Sequence, residues 1–266
     1  MSDPGFPEFN ELTDFRFGRI LYNKNDIYIG KSLELYGEFS HGEVHLFEAV
    51  VKPGMTIVEV GANIGAHTVC LAQMAGLKGR VHAFEPQRVV YQTLCANVAL
   101  NHLTNVLTYY AAAGDEAGEL IVPELNPRNE NNFGGLGLGG YEEGRTVPVV
   151  TVDSLNLPAC HFIKADVEGM EEAALRGAEE TILRFRPVLY VENDRKEKSA
   201  DLERYIHSLG YRMFHHCPPL FSPENFKGNS ENVFPNIVSK NLLCFHESTP
   251  SSITGLAEVE VPETGG

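Results

Sequence analysis

The chain has 266 residues, 43% hydrophobic and 21% charged, which is long enough to bury one sizeable core. Its 21 Lys and Arg against 36 Asp and Glu leave a formal net charge of −15, so no electrostatic footprint for nucleic acid or an anionic membrane exists, and neither is an expected partner. Met1 to Glu11 is acidic and proline-broken, unlike a secretory leader, and the longest uncharged run, Val89–Gly114, is interrupted by Gln92, Asn97, Asn101, His102 and Asn105; a soluble, cytoplasmic protein is expected.

Residues 1–50 read as an N-terminal cap. Phe15–Tyr22 and Asp26–Ile29 form short strands about the Asn23–Lys24–Asn25 turn, and a helix follows around Val44–Val50. From 51 to 246, β-rich apolar runs alternate with helix-period segments, the pattern of an α/β domain with a parallel sheet. The runs are Thr56–Val60, Val81–Glu85, Val106–Ala113, His161–Val167 and Pro187–Asn193. Ile64, Thr68, Leu71 and Ala75 share one helical face, as do Val90, Leu94 and Val98, and then Met170, Ala174, Ala178, Ile182 and Phe185, which gives three crossover helices. Pro123–Arg145, with its asparagines and the glycine-dense Gly134–Gly140, is too long for an ordinary connection and reads as a disordered insertion or a lid. A charged helix carrying Leu202, Tyr205, Ile206 and Leu209 leads to Tyr211–His216, which pairs antiparallel with Ile237–His246 at a sheet edge. Residues 247–266 are poor in apolar side chains and read as a disordered tail. The five cysteines, an odd number without a CxxC, read as reduced small hydrophobes.

The chemistry concentrates at Val58-Glu59-Val60-Gly61-Ala62-Asn63-Ile64-Gly65, where the first strand of the sheet hands over to a helix. Glycines at 61 and 65 admit close backbone approach and a tight helix start. The spacing is E-x-G-x-x-x-G, not the G-x-G-x-x-G that cradles a pyrophosphate, which counts against an NAD-dependent oxidoreductase. Twenty residues on, Phe84-Glu85-Pro86 puts a carboxylate at a strand end, where it can hold the two hydroxyls of a ribose. Glu59 would repel a phosphate but suits an ammonium, and S-adenosylmethionine fits all three features.

Val58–Gly65, Ala83–Pro86, Phe162-Ile163-Lys164-Ala165-Asp166-Val167-Glu168-Gly169 and Arg186–Asn193 resemble the FkbM-type methyltransferases, a class I S-adenosylmethionine-dependent family. The resemblance extends over about residues 28–246, and Ser32–Ser40, Asn132–Gly135 and Pro218–Phe221 look like one branch of it; Ala165 stands where the family usually has Ile. It implies a Rossmann-like, mostly parallel seven-stranded sheet with helices on both faces and one antiparallel edge strand. Carried over, Glu59, Gly61, Asn63 and Gly65 contact the methionine moiety and Glu85 the ribose. Asn97 and the Ala113–Asp115 turn, Asp115 included, are candidates for the cofactor rim, against helix packing and an ordinary turn.

Methyl transfer needs an oriented acceptor and, for a hydroxyl, a base or a metal. Asp166 and Glu168 follow a buried strand and are the catalytic candidates, although Glu168 could instead complement a helix dipole. Asp166, Glu192 and Asn193 at neighbouring strand ends compose an oxygen set for Mg²⁺ or another divalent cation, similar to that of catechol-type O-methyltransferases; the alternative is direct hydrogen bonding to substrate. His215 or His216 offers a further base, with at most one facing the site, while His67 reads as a packing residue. Phe221, Asn225, Phe226, Asn229, Asn232 and Asn236 offer aromatic faces and amides for a polyhydroxylated acceptor, and Arg195, Lys196 and Lys198 read as a solvated helix face. The reading is O-methylation of a sugar, glycan or other small-molecule hydroxyl, with N-methylation and a non-catalytic binding module as alternatives.

Overall fold

The computed structural model of the chain describes residues 8–249 and 254–261. It opens with an antiparallel hairpin of β1 (Asn10–Phe15) and β2 (Gly18–Asn23), earlier in the chain than the expected turn. Asp26–Ile29 is not a strand. The Asp26 carboxylate accepts the Tyr28 and Ile29 N–H groups, both at 2.9 Å, which starts α1 (Ile29–Tyr36) by satisfying backbone donors that have no intrahelical partner. Next come α2 (His41–Val50), β3 (Thr56–Val60), α3 (Ala66–Ala75), β4 (Arg80–Phe84), α4 (Arg88–Leu100) and β5 (Val106–Tyr109). The run expected as one strand to Ala113 breaks after Tyr109. Its end, β6 (Ala112–Ala113), joins β7 (Gly118–Val122) and β8 (Arg145–Val150) in a small separate sheet.

The 123–145 segment is not a free excursion. Asn131 bridges to Asp26, Gln87 Nε2 donates to the Phe133 carbonyl at 2.7 Å, and Phe133 is buried among Ile29, Leu33 and Val90. Beyond it lie β9 (Phe162–Ala165), α5 (Glu171–Arg176), α6 (Glu179–Phe185), β10 (Val188–Glu192), α7 (Lys196–Ser208), β11 (Tyr211–His216) and β12 (Asn241–His246). The helix expected over 170–185 is two helices. At Gly177 a side chain would sit 1.9 Å from the Gly114 carbonyl oxygen, and the Asp153 carboxylate restarts the helix by accepting the Glu180 and Thr181 N–H groups.

The main sheet has the order β11-β12-β10-β9-β3-β4-β5, with β12 antiparallel to both neighbours. Every residue of β3 is buried, as a central parallel strand covered on both faces requires. Val58, Val60, Ile163, Ala165, Leu189 and Val191 pack beneath α5, α6 and α7. The alternate residues Ile57, Phe162, Tyr190 and Leu243 pack on the other face with Val44 and Phe47 of α2 and Cys70 and Leu71 of α3. By the same alternation Glu59, Lys164, Glu192 and Asn241, near or at the cavity ends of four adjacent strands, lie on the α2–α3 face.

The tail expectation is corrected for 254–261. His215 N–H donates to the Ala257 carbonyl, Val259 N–H to the Met213 carbonyl, and Val259 and Val261 pack on the core, so a short segment covers the open edge of β11. The remaining tail positions, 250–253 and 262–266, lie outside the described residues, as do 1–7 of the expected cap. No helix among the described residues is long and apolar enough to cross a membrane. All five cysteines are free, with Cys70, Cys160 and Cys244 buried and Cys217 exposed.

Candidate active site

A cavity of about 230 Å³ opens beyond the C-terminal ends of β3, β4, β9 and β10, between the 123–145 segment, α1, α3 and the loop before β12. Its first wall is the turn after β3. Gly61 has φ +83°, and a Cβ there would meet the Asp166 carbonyl oxygen at 1.9 Å, so only glycine lets the ends of β3 and β9 approach this closely. Gly65 starts α3 at φ +90°, where a side chain would press on Leu94; it does not line the cavity and serves helix packing. Asn63 donates its N–H to Glu85 Oε2 at 2.9 Å, and Gln87 N–H reaches Glu85 Oε1 at 2.7 Å, so the carboxylate after β4 ties two turns together. Glu85 is 3% exposed, and burial pushes its pKa up to about 7.

The second wall is a row of charges across β3, β9 and β10. Lys164 is buried and donates to Asp166 Oδ2 at 2.8 Å, while about 35% of the Asp166 side chain stays open. Burial alone would raise the Asp166 pKa, but the Lys164 ammonium brings it below the ordinary carboxylate range. Burial would likewise lower Lys164, yet Asp166, Glu59 and Glu43 hold it above its ordinary value. Glu59 accepts from Thr68 Oγ1 at 2.6 Å, and burial, partly offset by Lys164, raises it to about 7. Glu168 sits at φ +54° and is paired with Arg195; burial and the Asp166 charge lift it to about 7 against that pairing. Burial next to the Asp166 and Glu168 charges pushes Glu192 to about 11, which keeps it protonated at neutral pH.

The structure therefore brings together Glu59, Gly61, Asn63, Glu85, Asp166, Glu168 and Glu192. It does not bring Asn193, His215 or Asp115. Asn193 Nδ2 donates to Glu203 Oε1 at 2.9 Å, because Glu192 takes the cavity side of the strand and its neighbour must turn to the other. His215 is exposed on β11, and His216 Nδ1 is bonded to the Tyr190 hydroxyl at 2.8 Å. Asp115 is exposed on a separate depression with Gly169 and Glu172. Asn97 bonds the N–H and C=O of Leu21 and the Ile64 carbonyl, so it packs the hairpin on α4 rather than rimming the cavity. The amides expected to greet a sugar are spent locally: Asn225 and Asn229 hold the turns of their own loop, and Phe221 packs on Tyr36.

Asp166, Glu168 and Glu192 bring carboxylate oxygens within 4.8 Å of one another. This set does not fit a divalent cation as it stands. Lys164 and Arg195 already pair with Asp166 and Glu168, so a cation would have to displace both. Sequence reasoning missed Lys164 and Asn241; it read Arg195 as part of a solvated helix face, where it pairs with Glu168, and His67 as a packing residue. His67 lines the cavity at 5% exposure with its pKa lowered to about 4 by burial, hence neutral. The signal was present in parity: Glu59, Lys164, Glu192 and Asn241 are polar residues on one face of otherwise apolar strands.

Among solved structures the chain is similar to methyltransferase FkbM from Methylobacillus flagellatus KT, at 23% identity and TM-score 0.49 over 73% of this chain and 44% of that one, so it spans less than half of that protein. It is also similar to precorrin-6y C5,15-methyltransferase from Geobacter metallireducens GS-15, at 12% identity and TM-score 0.50 over 77% and 87% of the two chains. A third likeness is M. jannaschii TYW2 in complex with AdoMet, at 14% identity and TM-score 0.46 over 90% and 86%. The Geobacter likeness shows a shared class I methyltransferase fold. A search of curated proteins finds no match. The family described as Methyltransferase FkbM domain matches residues 59–213, over half of the chain and a span that includes Glu59, Glu85, Asp166 and Glu192, so the chain belongs to the FkbM methyltransferase family.

Proposed function

We propose that this chain is an S-adenosylmethionine-dependent O-methyltransferase acting on a hydroxyl of a sugar, glycan or other small molecule. The observation that carries this reading is the meeting, in one cavity, of the glycine turn after β3, the Glu85 carboxyl and an ionised carboxylate. Gly61, Asn63 and Glu85 line one wall, and Asp166, held by Lys164, adjoins the Gly61 turn. Glu85 would hold the ribose hydroxyls, and Glu59 with the Gly61 turn would face the methionine ammonium and sulfonium. Six carboxyl groups line the cavity against one lysine, and a cationic cofactor would draw those with pKa values near 7 into their ionised form. The bound cofactor supplies the electrophilic methyl group.

Asp166 accepts the hydrogen bond of the acceptor hydroxyl and so aims its lone pair at the methyl carbon. The hydroxyl proton would pass to Asp166, and Glu168, with its pKa of about 7, would hold it until product leaves. No step is assigned to a metal. A small cavity and a charge of −15 favour a small acceptor over a nucleic acid.

Calorimetric titration with S-adenosylmethionine, with and without EDTA, tests the reading. Binding in the micromolar range that EDTA leaves unchanged is expected, followed by chelator-insensitive methyl transfer; binding of NAD in its place would overturn it. Asp166→Asn should keep cofactor affinity and depress single-turnover transfer by at least about a hundredfold, the usual scale of general-base loss.

A further inference from the structure

We infer that Glu192 and Asn241 form a clamp for a second hydroxyl of the acceptor, adjacent to the one that is methylated, so that the acceptor is a neutral polyol. The inference rests on the methyltransferase reading above and assigns its acceptor subsite.

Glu192 and Asn241 are register partners where β10 and β12 pair, and both line the cavity on the α2–α3 face. Asn241 is 5% exposed, and its Nδ2 has no hydrogen-bond partner among the described residues; Glu192 Oε2 also has none. Buried donors and acceptors are nearly always paired, and leaving them unpaired costs stability. Inward of the pair on this face, the Tyr190 hydroxyl is already held by His216 Nδ1 at 2.8 Å, and Leu243 packs in the apolar core. A ligand that supplies both partners explains the pair.

The chemistry of that ligand follows from the two atoms. An amide N–H beside a carboxyl oxygen complements a hydroxyl, which accepts from the first and donates to the second. A phosphate or carboxylate would face Asp166 and Glu168 directly and be repelled. An alkyl scaffold would leave both atoms unpaired. Tyr28 and Phe39, partly exposed in the same cavity, present aromatic faces to the C–H face of a sugar ring. In the proposed arrangement the cofactor's determinants, Glu59, Gly61, Asn63 and Glu85, lie on or after β3 and β4, and β9 stands between them and this corner.

The test uses methyl α-glucoside, mannoside and galactoside, together with their monodeoxy analogues, as acceptors for methyl-labelled S-adenosylmethionine. Wild type should methylate at least one hexoside. Asn241→Asp, which keeps the shape and removes the donor, and Asn241→Ala should each lower kcat/KM at least tenfold, chiefly through KM, with cofactor affinity unchanged within twofold. Removing the neighbouring hydroxyl from the acceptor should cost wild type a similar factor and the Asn241 variants almost nothing more. An unchanged KM in the variants, or a deoxy penalty as large in them as in wild type, overturns the clamp. Cofactor binding without transfer to any hexoside overturns the polyol assignment and leaves the methyltransferase reading standing, whereas failure to bind the cofactor overturns both.

Discussion

Lys164 shows at the scale of one residue how a buried charge can set a reactive one. An ammonium 2% exposed is costly unless paired, and Asp166 at 2.8 Å, with Glu59 and Glu43 nearby, provides the pairing. The same contact keeps Asp166 ionised against the burial that would protonate it. Lys164→Met fills the same volume without the charge, so Asp166 should lose its counter-ion and move up through the ordinary carboxylate range. Because the proposed transfer needs the ionised form, the acid limb of kcat/KM against pH should shift upward by at least about one unit while cofactor affinity changes little. A limb that stays in place in Lys164→Met would show that Asp166 is not the titrating base.

Elements are held to one another by equally specific groups, and the docking of the N-terminal hairpin on α4 is the clearest case. Asn97 and Asn101, one turn apart, each take the N–H and C=O of a β2 residue, Leu21 and Arg19 respectively, as a neighbouring strand would. Asn97 is fully buried and also holds the Ile64 carbonyl in the turn between β3 and α3. Asn97→Ala should therefore cost about 3 kcal/mol by leaving buried backbone groups unpaired, and the more accessible Asn101→Ala about 1 kcal/mol, as read from urea unfolding. Equal costs would mean that the ladder does not anchor the hairpin. These amides also mark where the sequence stops being legible. The buried strands and crossover helices announce themselves by period, and Glu59, Glu85, Asp166 and Glu192 could be placed because strand ends in such sheets face the ligand. What Asn97, Asp26 or Gly177 does depends on a partner distant in sequence, which no local pattern records. Lys164 and Asn241 look like flaws in apolar runs until the pairing of β9, β10 and β12 puts them on one face. His215 misled because a histidine at a strand end has two faces to choose from, and β11 turned it outward.

Across the whole molecule the cavity carboxyls should make stability depend on pH in an unusual direction. Glu59 and Glu85 have folded pKa values raised from 4.5 to about 7, so between those values the folded state binds more protons than the unfolded one. Their contribution is complete below about pH 4.5 and is lost as pH rises through 7, on the order of 3 kcal/mol for each buried group at most. Glu192, held protonated to about 11, extends the loss toward alkaline pH. His41 and His67, lowered to about 4, act oppositely: the unfolded chain binds their protons first, so stability falls as pH drops from 6.5 toward 4. The melting temperature without ligand should therefore be highest near pH 4.5, where the two sets of groups balance, and decline, by on the order of 10 °C, up to about pH 8.5. A ligand carrying a sulfonium and an ammonium favours the ionised carboxylates, so the rise in melting temperature given by saturating S-adenosylmethionine should grow over the same interval. Thermal scans at half-unit steps from pH 5 to 9, with and without cofactor, check both slopes. A melting temperature that is flat or climbs from pH 6 to 8.5 would mean that Glu59 and Glu85 are already ionised in the folded chain, and that the cavity meets its cofactor as a preformed anionic site instead of one that the cofactor's charge completes.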